Sequence, residues 1–181
     1  LFQTDNFNFK LNHVVIIGVL VLAFSMSFLI RSQNMEFGSE LNEFDPFFNF
    51  RATEYMLENG FSEYLQWHDD KSWYPQGRDI SATSQVMLHT TAAITYQIFA
   101  GNSSLYDFTI LFPVIIGSLT VIVIFGLVRL FGGTTAGLLA SLFFAISLPL
   151  VLRGTAGWFK SEPLGIFYAL IGLYLFLSAI R

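Results

Sequence analysis

Long apolar stretches alternate with polar segments along the 181-residue chain. Residues 14–30 form an apolar run whose only polar members are two serines, and later runs cover residues 105–131, 134–152 and 164–180. Runs of roughly 17–25 apolar residues are long enough to cross a bilayer as helices. The pattern therefore predicts an all-α membrane protein with four transmembrane helices.

The two chain ends lead to further predictions. Residues 1–13 form a short polar leader, which we expect on the cytoplasmic side of the membrane. A cleaved signal peptide is the alternative to the first transmembrane helix, but the apolar run is long for a signal and no small-residue cleavage site follows it. The chain begins with Leu1 and stops at Arg181 directly after an apolar run, so we expect an N-terminal fragment of a longer protein.

Glycine and proline mark the expected turns and helix starts. The Gly-Gly pair at 132–133 predicts a tight turn between antiparallel helices, and Pro163 suits the first turn of the last helix. Pro46 is placed to open another helix with Asp45 as its N-cap. The Asn-Gly pair at 59–60 would end that helix, which we expect to lie on the membrane surface with its aromatic residues towards the lipid.

Two polar segments interrupt the apolar pattern. The first covers residues 31–80, and ten of the 13 acidic residues of the chain lie between Glu36 and Asp79. The second covers residues 153–163 and carries an arginine, a lysine and a glutamate between two apolar runs. Charges near membrane spans either form a solvated surface or mark a functional site. These two segments are therefore where we expect the chemistry.

Residues 81–100 are ambiguous, because they are helical by pattern and long enough to span a membrane, yet nearly half of them are polar. If this helix stays outside the membrane, the two polar segments lie on one side and can share a site, and if it crosses they cannot. In the first case the cytoplasmic basic residues are Lys10, Arg129 and Arg181, and those on the other side are Arg31, Arg153 and Lys160. The positive-inside rule does not separate these topologies.

The composition fits a membrane protein and narrows its function. Charged residues make up 12% of the chain, against about 25% in soluble domains. The net charge of −4 and the lack of a basic stripe argue against nucleic-acid binding. The chain has no cysteine, which excludes disulfides and thiolate metal sites within it.

Two carboxylates lie next to predicted helix ends, Asp45 in the first polar segment and Glu162 in the second. Hard divalent cations need oxygen ligands, and two or three carboxylates with water suit Mg²⁺ or Mn²⁺. A metal held there would neutralise a phosphate leaving group. The alternative is structural, with Asp45 capping a helix and Glu162 opening the last span.

Three sequence blocks in the polar segments form a distinctive set. Residues 43–51 read Glu-Phe-Asp-Pro-Phe-Phe-Asn-Phe-Arg, residues 67–78 read Trp-His-Asp-Asp-Lys-Ser-Trp-Tyr-Pro-Gln-Gly-Arg, and residues 153–162 read Arg-Gly-Thr-Ala-Gly-Trp-Phe-Lys-Ser-Glu. In order and spacing, these blocks resemble the catalytic subunit of oligosaccharyltransferase, most closely its archaeal branch. The resemblance covers residues 14–181, which correspond to the N-terminal membrane portion of that family.

The resemblance implies a GT-C-type glycosyltransferase fold, with short horizontal helices in a first external loop at residues 31–104. It favours the topology in which residues 81–100 do not cross, so that the loop at 153–163 lies on the same external face of the cell membrane. The implied reaction moves an oligosaccharide from a lipid (dolichyl) phosphate or pyrophosphate carrier to asparagine in an Asn-X-Ser/Thr sequence of an acceptor polypeptide. It further implies a Mn²⁺ or Mg²⁺ cofactor and a single-subunit enzyme, of which this fragment alone would be inactive.

The resemblance also assigns roles to individual residues. Asp45 matches the family's first acidic motif and would bind the metal and contact the acceptor amide. Glu162 matches the last acid of a DxD- or DxE-like motif and would be a second metal ligand. Lys160 stands where that motif has its first acid, so either the site uses fewer protein ligands, or Lys160 contacts the carrier phosphate, or this copy is impaired. Arg153 is a candidate contact for the same phosphate, with anchoring at the membrane interface as the alternative.

The remaining polar residues have weaker assignments. Four of them form a turn that we expect to support the site: Trp73, Tyr74, Gly77 and Arg78. His68 is a candidate for an extra metal ligand, although a lone histidine in an aromatic loop is more often structural. The acids at 69–70 are expected to tie the loop together through Arg78 or Lys71. Asn102 begins an Asn-Ser-Ser sequence, which is a possible N-glycosylation site.

Two alternative functions stay open. Another GT-C enzyme, such as a protein O-mannosyltransferase, also places an acid in the first loop, but the Trp-Tyr-Pro-x-Gly-Arg block argues against it. A non-catalytic paralogue or a transporter module would explain Lys160 as the mark of a lost site.

Overall fold

The structure, a computed structural model, describes residues 11–180 of the chain. This part contains seven α-helices, one 3₁₀ helix and a two-stranded antiparallel sheet. In chain order they are α1 (Leu11–Ser32), the 3₁₀ helix (Gln33–Phe37), α2 (Phe44–Gln66), β1 (His68–Asp69), β2 (Arg78–Asp79), α3 (Ile80–Thr83), α4 (Val86–Phe99), α5 (Leu105–Ile146), α6 (Leu148–Leu152) and α7 (Ser161–Ala179). Most of the predicted leader lies outside the described residues, as do Lys10 and Arg181. The predicted all-α membrane class is confirmed.

Helix α5 folds back on itself at Gly133, where φ is +76°. A Cβ atom on Gly137 would lie 2.8 Å from the carbonyl oxygen of Phe125. In a continuous helix, residues that far apart in sequence are separated by about 18 Å. The two halves of α5 are therefore antiparallel, which agrees with the turn predicted from the Gly-Gly pair.

Three helical stretches are long and apolar enough to cross a membrane: Asn12–Phe37, Leu105–Ile146 and Ser161–Ala179. Because α5 is a hairpin, its length allows two crossings. Helix α5 packs against both α1 and α7 and is mostly buried, whereas α1 and α7 expose most of their apolar residues. The bundle is thus built around α5, with apolar outer faces that suit a hydrocarbon environment.

The helix predicted over residues 134–152 is interrupted. Ser147 has an extended conformation, with ψ of +110°, and separates the end of α5 from α6. The cause is Pro149, since its ring would clash with the carbonyl of Ala145 in a continuous helix and it has no N–H to donate. The chain therefore changes direction before it enters the second polar segment.

The helix predicted over residues 81–100 is also divided, into the short α3 and the 14-residue α4. At that length α4 is shorter than the roughly 17 residues needed to span a bilayer. Its buried side chains pack mainly against α2, around a core that includes Phe48, Met56 and Tyr64. We call residues 33–104 the cap, because they cover one end of the helix bundle.

Helix α2 begins two residues earlier than predicted, at Phe44 and not at Pro46. Glu43 precedes it and makes no side-chain capping bond, so the prediction that Asp45 is the N-cap is wrong. Asp45 lies within the first turn instead, which leaves its carboxylate free of the backbone amides it was expected to cap. The predicted end at residues 59–60 is a kink, since Gly60 has φ of +86° and the helix then continues to Gln66.

Arg31 is buried where α1 meets the second polar segment, with 1% of its surface exposed. Its guanidinium donates to Ser27 Oγ at 2.5 Å, and a Cβ on Gly117 would lie 2.6 Å from its Nε. Its backbone carbonyl accepts from the amide of Ala156 at 2.9 Å. Arg31 thereby joins α1, α5 and the second polar segment.

Candidate functional site

Asparagine side chains of the cap hold the second polar segment in place. Asn34 Nδ2 and Asn42 Nδ2 donate to the carbonyl oxygen of Ala156, at 2.8 and 2.9 Å. Asn49 Nδ2 donates to the carbonyl oxygen of Phe159 at 2.8 Å. These three side chains, which we call the asparagine clamp, bring the two polar segments together at one end of the bundle.

Gly157 allows a close approach between the same two segments. Its φ of +78° lies in the left-handed region that favours glycine. A Cβ atom there would lie 2.1 Å from the carbonyl oxygen of Glu40. Its amide donates to the carbonyl of Ile110 at 2.9 Å, and its carbonyl accepts from the amide of Asn42 at 3.1 Å. The position of the second polar segment therefore depends on the absence of a side chain at this residue.

A buried hydrogen-bond chain from Tyr64 through His89 to Asn49 supports the clamp. Because a carbonyl oxygen only accepts, Asn49 presents Nδ2 to Phe159 and Oδ1 to His89 Nε2, 3.0 Å away. His89 Nε2 therefore carries a proton. Burial, and secondarily the charge of Arg78, lower the pKa of His89 to about 3. The imidazole is neutral, and its Nδ1 accepts from the Tyr64 hydroxyl at 2.6 Å.

We expect the free energy of unfolding of the full-length protein to fall between pH 7 and pH 5, partly through His89. The pKa of His89 is about 3 in the folded state, against an ordinary value of 6.5. The unfolded chain thus binds more protons in this window, and stability is lost as the pH falls. Thermal unfolding in detergent of the wild type and of His89→Gln measures this, and the variant should have a weaker pH dependence. His68→Gln is the control, because that side chain is largely exposed. An unchanged pH dependence in His89→Gln would contradict a neutral His89.

Lys160 lies between two carboxylates at the start of α2. Its Nζ is 2.5 Å from Glu43 Oε2 and 3.1 Å from Asp45 Oδ2, and 13% of its side chain is exposed. Burial acts to lower the pKa of Lys160, but the hydrogen bonds to Glu43 and Asp45 outweigh it and raise that pKa above its ordinary value. The ring centroid of Trp158 lies 4.4 Å from Nζ and adds a cation–π contact. The ammonium is therefore directed at two carboxylates, and a contact with the carrier phosphate stays a prediction.

Glu162 and Arg153 face each other across the second polar segment. Glu162 Oε1 lies 3.5 Å from Arg153 Nη1, and the guanidinium lies 5.1 Å from the ring centroid of Trp158. Glu162 Oε2 is buried and has no hydrogen-bond partner among residues 11–180. A buried oxygen without a donor costs free energy, so this atom has the capacity to accept a hydrogen bond from a ligand.

Asp45 and Glu162 line one cavity of about 260 Å³, although they lie far apart in the sequence. The lining residues are Asp45, Phe48, Asn49, Arg78, Gln85, Lys160, Ser161 and Glu162. Asp45 is 72% exposed, so its carboxylate is accessible to a substrate. Two carboxylates and two cationic side chains thus face the same space.

The turn at residues 73–78 supports this cavity through Arg78. The guanidinium carbon lies 3.8 Å from the ring centroid of Phe48 and 4.7 Å from that of Trp73. Burial lowers the pKa of Arg78, and the nearby Asp45 partly offsets that effect. Tyr74 is 89% exposed and does not share this packing, because the turn directs its ring outwards.

His68 lies on a different cavity from Asp45, so the structure does not support it as a metal ligand with that residue. It packs against the turn instead, since a Cβ on Gly77 would lie 2.3 Å from His68 Nε2, and that nitrogen is 3.0 Å from the carbonyl oxygen of Gln76. His68 therefore contacts the turn and not the cavity of Asp45.

The acids at 69–70 also differ from the prediction. Asp69 is buried and forms an ion pair with Arg51, not with the side chain of Arg78 or Lys71. It also accepts from Ser72 Oγ at 2.5 Å, and so stabilises the loop through a partner that precedes it in α2. Asp70 is 91% exposed, with His68 as a distant partner at 3.7 Å.

Asn102 lies in the exposed turn before α5. Ser104, the third residue of its Asn-Ser-Ser sequence, accepts from the amide of Asp107 at 3.0 Å and caps α5. The turn is accessible to a modifying enzyme, and glycosylation of Asn102 stays a prediction.

The donor set at the cavity does not fit a resident Mg²⁺ or Mn²⁺. Residues 11–180 contain no group of three or more histidine, aspartate or glutamate side chains placed to hold a metal. Asp45 holds an ammonium at 3.1 Å, and Glu162 faces a guanidinium at 3.5 Å. Both predicted ligands are therefore already paired with cationic side chains of the same chain.

Several residues that build the site were not predicted from the sequence, among them Glu43, Asn49 and His89. Glu43 lies in the first block, two residues before Asp45. A lysine at position 160, where the family motif has an acid, could have indicated an ion pair with an acid of the first block such as Glu43. Asn49 and His89 act through a backbone carbonyl and a buried hydroxyl. Hydrophobic patterning carries no signal for contacts of that kind.

The chain has a hairpin of transmembrane length and a helical cap, with a charged cavity where the two meet. These features define a multi-pass membrane protein with a site at one end of its bundle. The chain belongs to the oligosaccharyl transferase STT3 family, because the family model described as "Oligosaccharyl transferase STT3, N-terminal" matches residues 11–181. The predicted family is thereby confirmed.

Individual relatives agree with this assignment. The chain is 33% identical over 169 residues to the dolichyl-diphosphooligosaccharide–protein glycosyltransferase subunit STT3B of Arabidopsis thaliana. This match includes 91% of the chain and 23% of the plant protein. The chain is 31% identical to subunit stt-3 of Caenorhabditis elegans, of which it covers 22%, again with 91% of its own length. The chain thus spans less than a quarter of these relatives.

The fold is similar to that of a solved archaeal enzyme. The oligosaccharyltransferase AglB from Archaeoglobus fulgidus, in complex with an inhibitory peptide and a dolichol-phosphate, matches with a TM-score of 0.78 and 24% identity. The match covers 93% of this chain and 20% of AglB. The predicted GT-C-type fold is therefore confirmed for the N-terminal transmembrane part.

Proposed function

We propose that the full-length protein transfers an oligosaccharide from a lipid carrier to asparagine in Asn-X-Ser/Thr sequences of acceptor polypeptides. The observation that carries this proposal is the cavity in which Asp45 and Glu162 meet, in a chain of the STT3 family. The names of the plant and nematode relatives favour a dolichyl diphosphate as the carrier.

The proposed step exchanges one bond at the first sugar carbon. The amide nitrogen of the acceptor asparagine forms a bond to that carbon, and the bond from the same carbon to the carrier phosphate oxygen breaks. The bonding electron pair leaves with the phosphate oxygen, and the amide nitrogen loses one proton. The products are a glycosylated asparagine, the free carrier phosphate or diphosphate, and one proton.

The residues of the cavity have distinct roles in this proposal. The exposed carboxylate of Asp45 accepts a hydrogen bond from the acceptor amide, orients its nitrogen and can take its proton. Arg153 lies half-exposed at the edge of the site, where a guanidinium suits a phosphate. Anchoring at the membrane interface is the alternative for Arg153, and its contact to Trp158 is compatible with both.

We further propose that the protein lies in the cell membrane with the cavity on the external face. The cap and the second polar segment share one end of the bundle, while Arg129 lies near the turn at Gly133, where the hairpin of α5 reverses. Arg129 would then be cytoplasmic, but Arg31, Arg153 and Lys160 lie at the cavity end, so the proposed orientation rests on membership of the STT3 family and not on the positive-inside rule.

Glycopeptide formation by the purified full-length protein tests the proposal. The assay supplies a lipid-linked oligosaccharide and an Asn-X-Thr peptide, with an Asn-X-Ala peptide as the matched control. We expect transfer to the first peptide alone, and we expect residues 1–181 expressed by themselves to be inactive. If the full-length protein transfers nothing while a related active enzyme does, it is a non-catalytic paralogue. Transfer to the serine or threonine hydroxyl would instead indicate an O-glycosyltransferase.

A further inference from the structure

The ammonium of Lys160 is held in a fixed place. The Lys160 amide donates to the Trp158 carbonyl at 2.8 Å, and the preceding carbonyl, that of Phe159, is bound by the asparagine clamp. The side chain passes over the Trp158 ring and ends between Glu43 and Asp45. Hydrogen bonds thus fix the backbone of Lys160, and Trp158 and the two carboxylates fix its side chain, so that its positive charge lies next to Asp45.

The charges of the site are balanced without an added ion. Among the residues that line the cavity, the carboxylates of Asp45 and Glu162 face the cations of Lys160 and Arg78. Just outside the lining, Glu43 pairs with Lys160 and Arg153 pairs with Glu162. Three carboxylates and three cations give no formal excess of negative charge. Glu162 Oε2 has no hydrogen-bond partner among residues 11–180, but the site as a whole has no surplus of negative charge of the kind that attracts a divalent cation.

A divalent ion on Asp45 would also meet a like charge. The Lys160 ammonium lies 3.1 Å from Asp45 Oδ2, so a metal bound to the same carboxylate would be within a few ångströms of it. Lysine has no lone pair to offer while it is protonated, so it cannot join the coordination shell. The ammonium therefore competes with a metal for Asp45 and does not assist one.

We infer that Lys160 is the cation of this site, and that it neutralises Asp45 in place of a divalent metal. Transfer by this protein then needs no Mg²⁺ or Mn²⁺ bound at Asp45. The role of Lys160 in catalysis rests on the proposed transferase function. The absence of a metal bound at Asp45 does not, and it can be measured whether or not transfer is observed.

Manganese binding to the full-length protein in detergent tests the inference independently of activity. Electron paramagnetic resonance of free Mn²⁺ gives the number of ions bound per protein. We expect the wild type and Asp45→Asn to bind equally, and Lys160→Asp to bind one ion more than either. That extra ion should be lost in the double variant with Asp45→Asn. Lys71→Asp makes the same charge change on an exposed loop lysine and should gain no site that Asp45→Asn removes.

Activity measurements give the second readout. EDTA should leave glycopeptide formation by the wild type unchanged, whereas Lys160→Asp should be inactive in EDTA and recover at least about 100-fold on addition of Mn²⁺. Lys160→Met, which removes the charge without adding an acid, should lose at least about 100-fold, and Lys160→Arg should retain more than Lys160→Met. A residue that only stabilises the fold would lower the melting temperature in these variants without creating a Mn²⁺ site.

Three results would overturn the inference: Mn²⁺ bound by the wild type and lost in Asp45→Asn, wild-type transfer abolished by EDTA and restored by Mn²⁺, or full activity in Lys160→Met. If Lys160→Asp does not fold, the comparison of the wild type with Asp45→Asn still decides. Absence of transfer under every condition would refute the proposed function, and Mn²⁺ binding would still decide the role of Lys160.

Discussion

Replacing Asp45 by asparagine is expected to lower glycopeptide formation by the full-length protein by on the order of 1,000-fold, because it removes the charge that orients the acceptor amide. Asparagine has the same shape as aspartate, so the cavity keeps its form. Asp45 is 72% exposed, and an ion pair that exposed contributes at most about 1 kcal/mol to stability. Activity should therefore fall far more than the melting temperature. Initial rates and thermal unfolding of the same preparation measure both.

Asp70→Asn is the matched control for that variant. It makes the same chemical change within the same acidic segment, at a residue that is 91% exposed and lines a different cavity. The sequence predicted a stabilising role for Asp70, and the structure assigns that role to the buried Asp69 instead. We expect Asp70→Asn to keep both wild-type activity and stability. Near-normal turnover in Asp45→Asn would show that the site has been assigned to the wrong carboxylate.

Gly157→Ala is expected to have the second large effect, because it separates the cap from the second polar segment. An alanine at φ of +78° costs about 1–3 kcal/mol in backbone strain alone. Its Cβ would lie 2.1 Å from the carbonyl oxygen of Glu40, so one of the two segments has to move. A displacement of about 1 Å in a positioning element can reduce the rate about 100-fold. We therefore expect a lower melting temperature and at least that loss of glycopeptide formation.

Gly165→Ala is the control, because it makes the same substitution at a glycine that has no close neighbour. Gly165 lies in α7 with open space around its Cβ position and an ordinary helical conformation. Alanine there is expected to be neutral or to stabilise by up to about 1 kcal/mol. Thermal unfolding and glycopeptide assays of both variants complete the comparison. Wild-type activity in Gly157→Ala would mean that the contact between the segments does not position the reacting groups.

Much of the bundle could be predicted from the sequence, because lipid-facing helices are specified by long apolar runs and their turns by glycine. The hairpin at Gly133 is an example, since a short-range signal determines it. The break at Ser147 was missed because the apolar pattern continues through Pro149, and the effect of a proline is felt one turn earlier in the chain. At this position the conformation of the backbone is determined by the proline and not by the apolar pattern.

The site was harder to predict than the helices. Spacing alone left Asp45 and Glu162 as two carboxylates at helix ends, and only the resemblance to a family placed them together. The contact between Lys160 and Glu43 joins residues from opposite ends of the chain, and neither residue type indicates its partner. Polar contacts of this kind depend on the folded path, which a one-dimensional pattern does not contain.

The asparagine clamp binds the second polar segment by its carbonyl oxygens, not by its side chains. The backbone position of this segment therefore does not depend on which side chain follows Phe159. Residue 160 becomes an interchangeable position, where an acid, an amide or a lysine can be presented to Asp45 without a new backbone path. In this chain, a single substitution at residue 160 can therefore change the charge presented to Asp45, while the backbone that holds the residue stays as it is.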